Sequence, residues 1–168
     1  MAGEHHGHDV KAPTQSEEAM IDSAVSAGPP SVTEAATIVD HQGKVIRDGT
    51  NGFICMPESA AMGPMCNDGV WMAMLGALMA GEPFERREFG LSYMLAGEGG
   101  APGVSNIDPA ATEPTASNQW VKEGPHLMII LPDPKAYAGI SANPADPVYV
   151  MWKDTPYAHL MVRIEDEN

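Results

Sequence analysis

The stretch "CNDGVWMAMLGALMAGEP", residues 66–83, constrains this chain more than any other. Asn67 or Asp68 can cap a helix there, and Gly81 and Pro83 end it. Trp71, Met74, Leu75, Leu78 and Met79 form one broad apolar face, and Val70 and Met72 widen it. A helix that is apolar on most sides is normally buried. The spacing therefore predicts a central helix covered by other parts of the chain.

The segments available to cover it read mostly as strands. Thr37–Val39 and Lys44–Ile46 flank a turn at Gly43, and Phe53–Met56 follows the turn dipeptides Asp48-Gly49 and Asn51-Gly52. Further strands are expected at Phe89–Leu95, in "HLMIIL" (126–131), in "VYVMW" (148–152) and from His159 onward. A short helix is expected before Gly28-Pro29-Pro30, where Thr14 and Glu17 have capping-box spacing, and another near Lys135–Ala138. Residues 96–118 form a long Gly/Ala/Pro/Ser/Thr-rich loop, a length that usually marks a functional or mobile segment. Strands and helices alternate without a regular βαβ cadence. The expectation is an α+β fold, with a mostly antiparallel sheet packed on the central Met-rich helix. Residues 1–13 read as a disordered His-rich tail and residues 14–168 as a single domain.

The formal charge is −14, from 9 basic and 23 acidic residues, and no Lys/Arg cluster occurs. Nucleic acid and anionic membrane surfaces both require cationic patches, so neither is an expected partner. No run of 18 apolar residues is present, which argues against membrane insertion. The first ten residues, "MAGEHHGHDV", lack the basic and apolar regions of a signal peptide. The two cysteines, Cys55 and Cys66, are spaced C-x10-C, which fits no common zinc pattern. A Cys55–Cys66 disulfide is the expected state, and it favours an exported protein.

The tripeptide His-Leu-Met occurs twice, in "GPHLMIIL" (124–131) and "YAHLMVRI" (157–164). Alternate residues of a strand share a face. His126 and Met128 therefore point together, opposite Leu127, Ile129 and Leu131. His159, Met161 and Arg163 share a face opposite Leu160, Val162 and Ile164. Each strand is expected to give its aliphatic face to the core. Arg163 suggests that the His/Met face of the second strand reaches water at one end.

The stretches "DGTNGFICMP", "PMCNDGVW", "GPHLMIILPDP" and "YVMWKDTPYAHLMV" resemble a group of small, uncharacterised bacterial proteins that a signal peptide usually precedes. The similarity runs from about Ala36 to Val162. It implies export to the periplasm or beyond and is in keeping with the disulfide. It implies no activity and no residue roles.

If the two strands are neighbours, His126, Met128, His159 and Met161 form a metal-ligand set. Imidazole and thioether are soft-to-intermediate donors that suit copper, Cu(I) above all, better than Mg²⁺ or Ca²⁺. In the tail, His5, His6 and His8 could add weak capture of Cu²⁺, Ni²⁺ or Zn²⁺. The leading expectation is a small binding protein for a metal ion or other small ligand. The competing expectations are an enzyme and a purely structural or interaction domain. The enzyme would use His126 and His159 with Lys153, Asp154 and Tyr157 for acid–base work. The structural domain would use the methionines only as packing.

Overall fold

The computed structural model describes residues 16–85 and 87–165. Within them the helices are α1 (Glu17–Val25), α2 (Pro30–Thr33) and α3 (Gly69–Ala80). The strands are β1 (Thr37–Val39), β2 (Val45–Arg47), β3 (Ile54–Met56), β4 (Met65–Asn67), β5 (Gly90–Met94), β6 (Val104–Ser105), β7 (Trp120–Val121), β8 (His126–Ile130), β9 (Val148–Met151) and β10 (His159–Arg163). A 3-10 turn spans Pro134–Tyr137.

Eight strands form one sheet in the order β2-β1-β3-β4-β5-β8-β10-β9, and β6 and β7 form a separate ribbon. Every neighbouring pair in the large sheet is antiparallel except β1 with β3. The protein is thus a mixed α and β fold built mainly on one sheet. Strand β4 was not anticipated: its three residues sit directly before the helix cap and carry no alternation long enough to read. The cap of α1 is Ser16, whose hydroxyl accepts from the Ala19 N–H. Thr14 and residues 1–13 lie outside the described residues.

The cysteines face each other directly across β3 and β4 and are joined by a disulfide. With Ala24 and Ala27 at the end of α1, and with Ile38, they form a small core on one side of the sheet. The larger core lies on the other side, where α3 contributes Val70, Trp71 and Met74 to a cluster with Met65, Met94, Met128 and Met161. Asp68 fixes this helix in place. One carboxylate oxygen accepts from the Trp71 N–H as the N-cap, and the other accepts from the Leu91 N–H of β5, at 2.9 and 2.8 Å.

Two expectations are corrected here. The helix is not apolar-in on all sides: Met79 is 88% exposed and Met72 only half-buried. One sheet face supplies cover for one side of α3, and its outer side faces solvent. The faces of the two His-Leu-Met strands are also reversed. His126, Met128, Ile130, His159 and Met161 are buried, whereas Leu127, Ile129, Leu160 and Val162 are only half-buried. The reason is the placement of the helices. Helix α3 lies over the His/Met side, while α1 covers the opposite side only at the β2, β3 and β4 end.

This reversal predicts a specific asymmetry. Met161→Ala should cost about 2–5 kcal/mol in chemical denaturation, as for a core truncation, and Leu160→Ala distinctly less. Equal costs, or a larger cost at Leu160, would contradict the placement of the core.

Candidate functional site

The β5, β8, β10 and β9 ladder builds the site. Met94 lies opposite His126, Met128 opposite Met161, and Met151 opposite His159. Because β8 and β10 are antiparallel, the two His-Leu-Met copies meet head to tail. Their methionines pair in the middle, and their histidines stand at opposite ends. His126 is level with Arg163, four residues along β10 from His159.

These side chains, together with Trp71, Glu98 and Trp152, line one small cavity of about 60 Å³. A cavity needs about 10–15 Å³ of such space to hold one water, and pockets for organic ligands typically run to about 300–1,000 Å³. The space therefore admits small ions and a few waters and is too small for an ordinary metabolite. Larger clefts of about 290 and 320 Å³ lie near Tyr137 and Thr155, but they hold none of the unpartnered groups described next.

The histidines have a defined chemical state. Nδ1 of His126 is 2.6 Å from the Gly124 carbonyl, and Nδ1 of His159 is 3.0 Å from the Tyr157 carbonyl. A carbonyl oxygen only accepts, so Nδ1 carries the proton in both rings. Burial lowers the pKa of His126, against an upward pull from the Gly124 carbonyl and Glu123. Burial holds His159 down at about 4. Both rings are neutral at physiological pH, and each presents a bare lone pair at Nε2. Neither Nε2 has a partner among the described residues. Five buried side-chain polar atoms among the described residues lack one. Four belong to residues around this cavity: Trp71 Nε1, Glu98 Oε2 and the two Nε2 atoms. Buried polar groups are ordinarily satisfied, so this concentration sets the cavity apart from the rest of the interior.

Two indoles hold His159 edge-on, with ring centroids 5.0 Å away for Trp71 and 5.1 Å for Trp152. Asp68 aims Trp71 through the helix cap. Trp152 is aimed by the long loop. Its N–H and its indole Nε1–H donate to the Asn106 and Ser105 carbonyls, both at 2.8 Å. These bonds keep its backbone at φ 55°, a conformation that costs a bulky residue about 1–3 kcal/mol. The same loop supplies Glu98 and Val104 to the cavity wall. Its length thus serves to build a wall and clamp an indole.

Glu98 is 5% exposed and accepts from the Gly63 N–H. A side chain at Gly63 would come within 2.1 Å of the Gly97 carbonyl, so only glycine allows this approach. Burial raises the Glu98 pKa to about 7; the Gly63 bond opposes the rise, Glu123 adds to it and Lys122 opposes it. Beyond His126, the face is closed by a buried network. Arg163 donates from two nitrogens to the two Glu123 oxygens, each at 2.9 Å, and the Tyr149 hydroxyl donates to Glu123 at 2.7 Å. Burial pushes Glu123 up, but the Arg163 bond, Tyr149 and the Arg163 charge leave it below its ordinary value. Arg163 is thus ion-paired while its side chain stays 24% exposed, so this end of the His/Met face does reach water, as expected.

The structure brings His126, Met128, His159 and Met161 to one cavity. It does not gather the acid–base set. Lys153 and Asp154 are exposed on an outer cleft, and the Tyr157 hydroxyl donates to the Glu82 carbonyl. His5, His6 and His8 lie outside the described residues. Met94, Met151, Trp71, Trp152 and Glu98 were not anticipated as site residues. The first two could have been found, since Met94 ends the alternation Gly90-Ser92-Met94 and Met151 follows Tyr149 at the same period. Among the described residues, no group of three or more His, Cys, Asp or Glu is placed to hold a metal ion. No helix among them is long and apolar enough to cross a membrane. No family model, curated protein or solved structure matches the chain.

Glu98 yields a pH-dependent prediction. Below pH about 4.5 its carboxyl is protonated in the folded and unfolded chains alike. From there to about 7 the unfolded chain releases the proton while the native chain keeps it. Stability from this group is therefore lost as the pH rises through that window. Glu98→Gln removes the loss and should gain on the wild type by roughly 3 kcal/mol between pH 4 and pH 8. Paired denaturation curves at the two pH values measure this, and a gain independent of pH would refute it.

Proposed function

We propose that this protein is a small binding protein of the bacterial envelope whose ligand is a soft monovalent cation, Cu(I) by donor chemistry. The observation that carries the reading is the pair of buried Nε2 lone pairs, without partners among the described residues, beside thioether side chains at one small cavity. Imidazole and thioether donors favour Cu(I) over hard cations. Metal-ligating histidines characteristically donate their second ring N–H to a carbonyl or carboxylate, and both rings do so here. His and Met donors are neutral, which suits a single positive charge better than a double one in a buried site. The disulfide supports export, because such bonds persist in oxidising compartments. The resemblance to small exported bacterial proteins points the same way. His5, His6 and His8 fit a weak metal-capture tract on the same chain.

The test is an anaerobic titration of the full chain with Cu(I) against a chromophoric chelator. Binding should exceed that of a free His-containing peptide by at least about a hundredfold, and His126→Leu/His159→Leu should abolish it. Affinity equal to the peptide's, or unchanged by the double substitution, refutes the reading.

A further inference from the structure

The two histidines face one cavity, but the strand register keeps them apart. His126 is level with Arg163, and Arg163 lies four residues from His159. At about 3.4 Å per residue and one inter-strand step of about 4.8 Å, their α-carbons are about 14 Å apart. Two imidazole nitrogens that share an ion lie within about 4 Å of each other, since each bond is about 2 Å long. Side chains stand roughly perpendicular to a sheet. To meet, both rings would have to lie flat across the directly paired Met128 and Met161.

Each histidine has closer company. Met94 of β5 is directly opposite His126, and Met151 of β9 is directly opposite His159. Cβ atoms of such pairs are about 4.5–5.5 Å apart. Two residues along its own strand and on the same face, each histidine also has the methionine of its own His-Leu-Met copy. All four methionines are buried and border the cavity. The surroundings repeat: one bare Nε2, one thioether from the same strand and one from across the ladder.

We infer that the doubled tripeptide builds two soft-cation stations, each with one imidazole and two thioethers: His126 with Met128 and Met94, and His159 with Met161 and Met151. The inference rests on the soft-cation reading above and adds the number of ions, their ligands and two ligands from outside the repeat. Three neutral donors of this kind satisfy Cu(I) and its redox-inert analogue Ag(I) without Cys or carboxylate. No bond other than the coordinate bonds forms, and the ion keeps its oxidation state.

The full chain, loaded anaerobically with Cu(I) to saturation, answers this by stoichiometry and X-ray absorption. Two ions per chain are expected, each with one nitrogen and two sulfurs in its first shell. His126→Leu and His159→Leu should each retain one ion. Met94→Leu and Met151→Leu conserve core volume and should each weaken one of the two ions at least about tenfold while sparing the other. One ion per chain, or a shell with two nitrogens, overturns the two-station inference and leaves the soft-cation reading standing. If the wild type binds no Cu(I) above the peptide level, the soft-cation reading falls and the stations with it. Absorption by the wild type is decisive even if a histidine variant fails to fold.

Discussion

The register between β8 and β10 is the constraint on which everything else depends. Side chains alternate with a period of two, so a slip of β10 by one residue against β8 would turn His159 and Met161 away from the face that carries His126 and Met128. What pins the register is a set of specific devices at the ends of the strands. Arg163 reaches Glu123 beyond one end, and the indoles of Trp71 and Trp152 bracket His159 at the other. Pairing an arginine with a buried carboxylate adds little net stability, but leaving either charge alone in the interior costs several kcal/mol. A misregistered pairing that separated the two charges would incur that cost.

The site is assembled from short pieces whose positions are fixed by polar bonds. Asp68 caps α3 and at the same time accepts from β5, so the helix cannot shift along the sheet without breaking one of the two bonds. Ser105 and Asn106 hold Trp152 in a left-handed bend that an aromatic residue would not adopt alone. The strain is concentrated where the long loop meets the end of β9, beside His159. The interior is thus apolar in bulk and polar at chosen points, and those points converge on the cavity.

Much of this was legible in the residues. The strand periods, the α3 cap at Asp68, the stop at Gly81 and the pairing of Cys55 with Cys66 follow from local chemistry that acts over a few residues. The meeting of His126, Met128, His159 and Met161 depended on β8 and β10 being neighbours, which alternation permits but does not require. The orientation of those strands was misread for a physical reason. Side-chain hydrophobicity ranks Leu127 and Leu160 as more core-like than His126 and His159, yet burial is decided by which side α3 occupies. Glu98 gave no local signal at all. Its burial follows from the approach of Gly63 to the Gly97 turn, two segments far apart in the chain.

The distribution of methionine has a consequence for oxidative damage. Thioethers are readily converted to sulfoxides, which are polar and disrupt cores. Met94, Met128, Met151 and Met161 are shielded by the sheet and the indoles, whereas Met79 stands 88% exposed on the outer side of α3. Met79 is open to peroxide arriving from solvent, at a position where a sulfoxide disturbs no core packing. Oxidation there would leave the core intact, whereas a sulfoxide at any of the four buried positions would disrupt it.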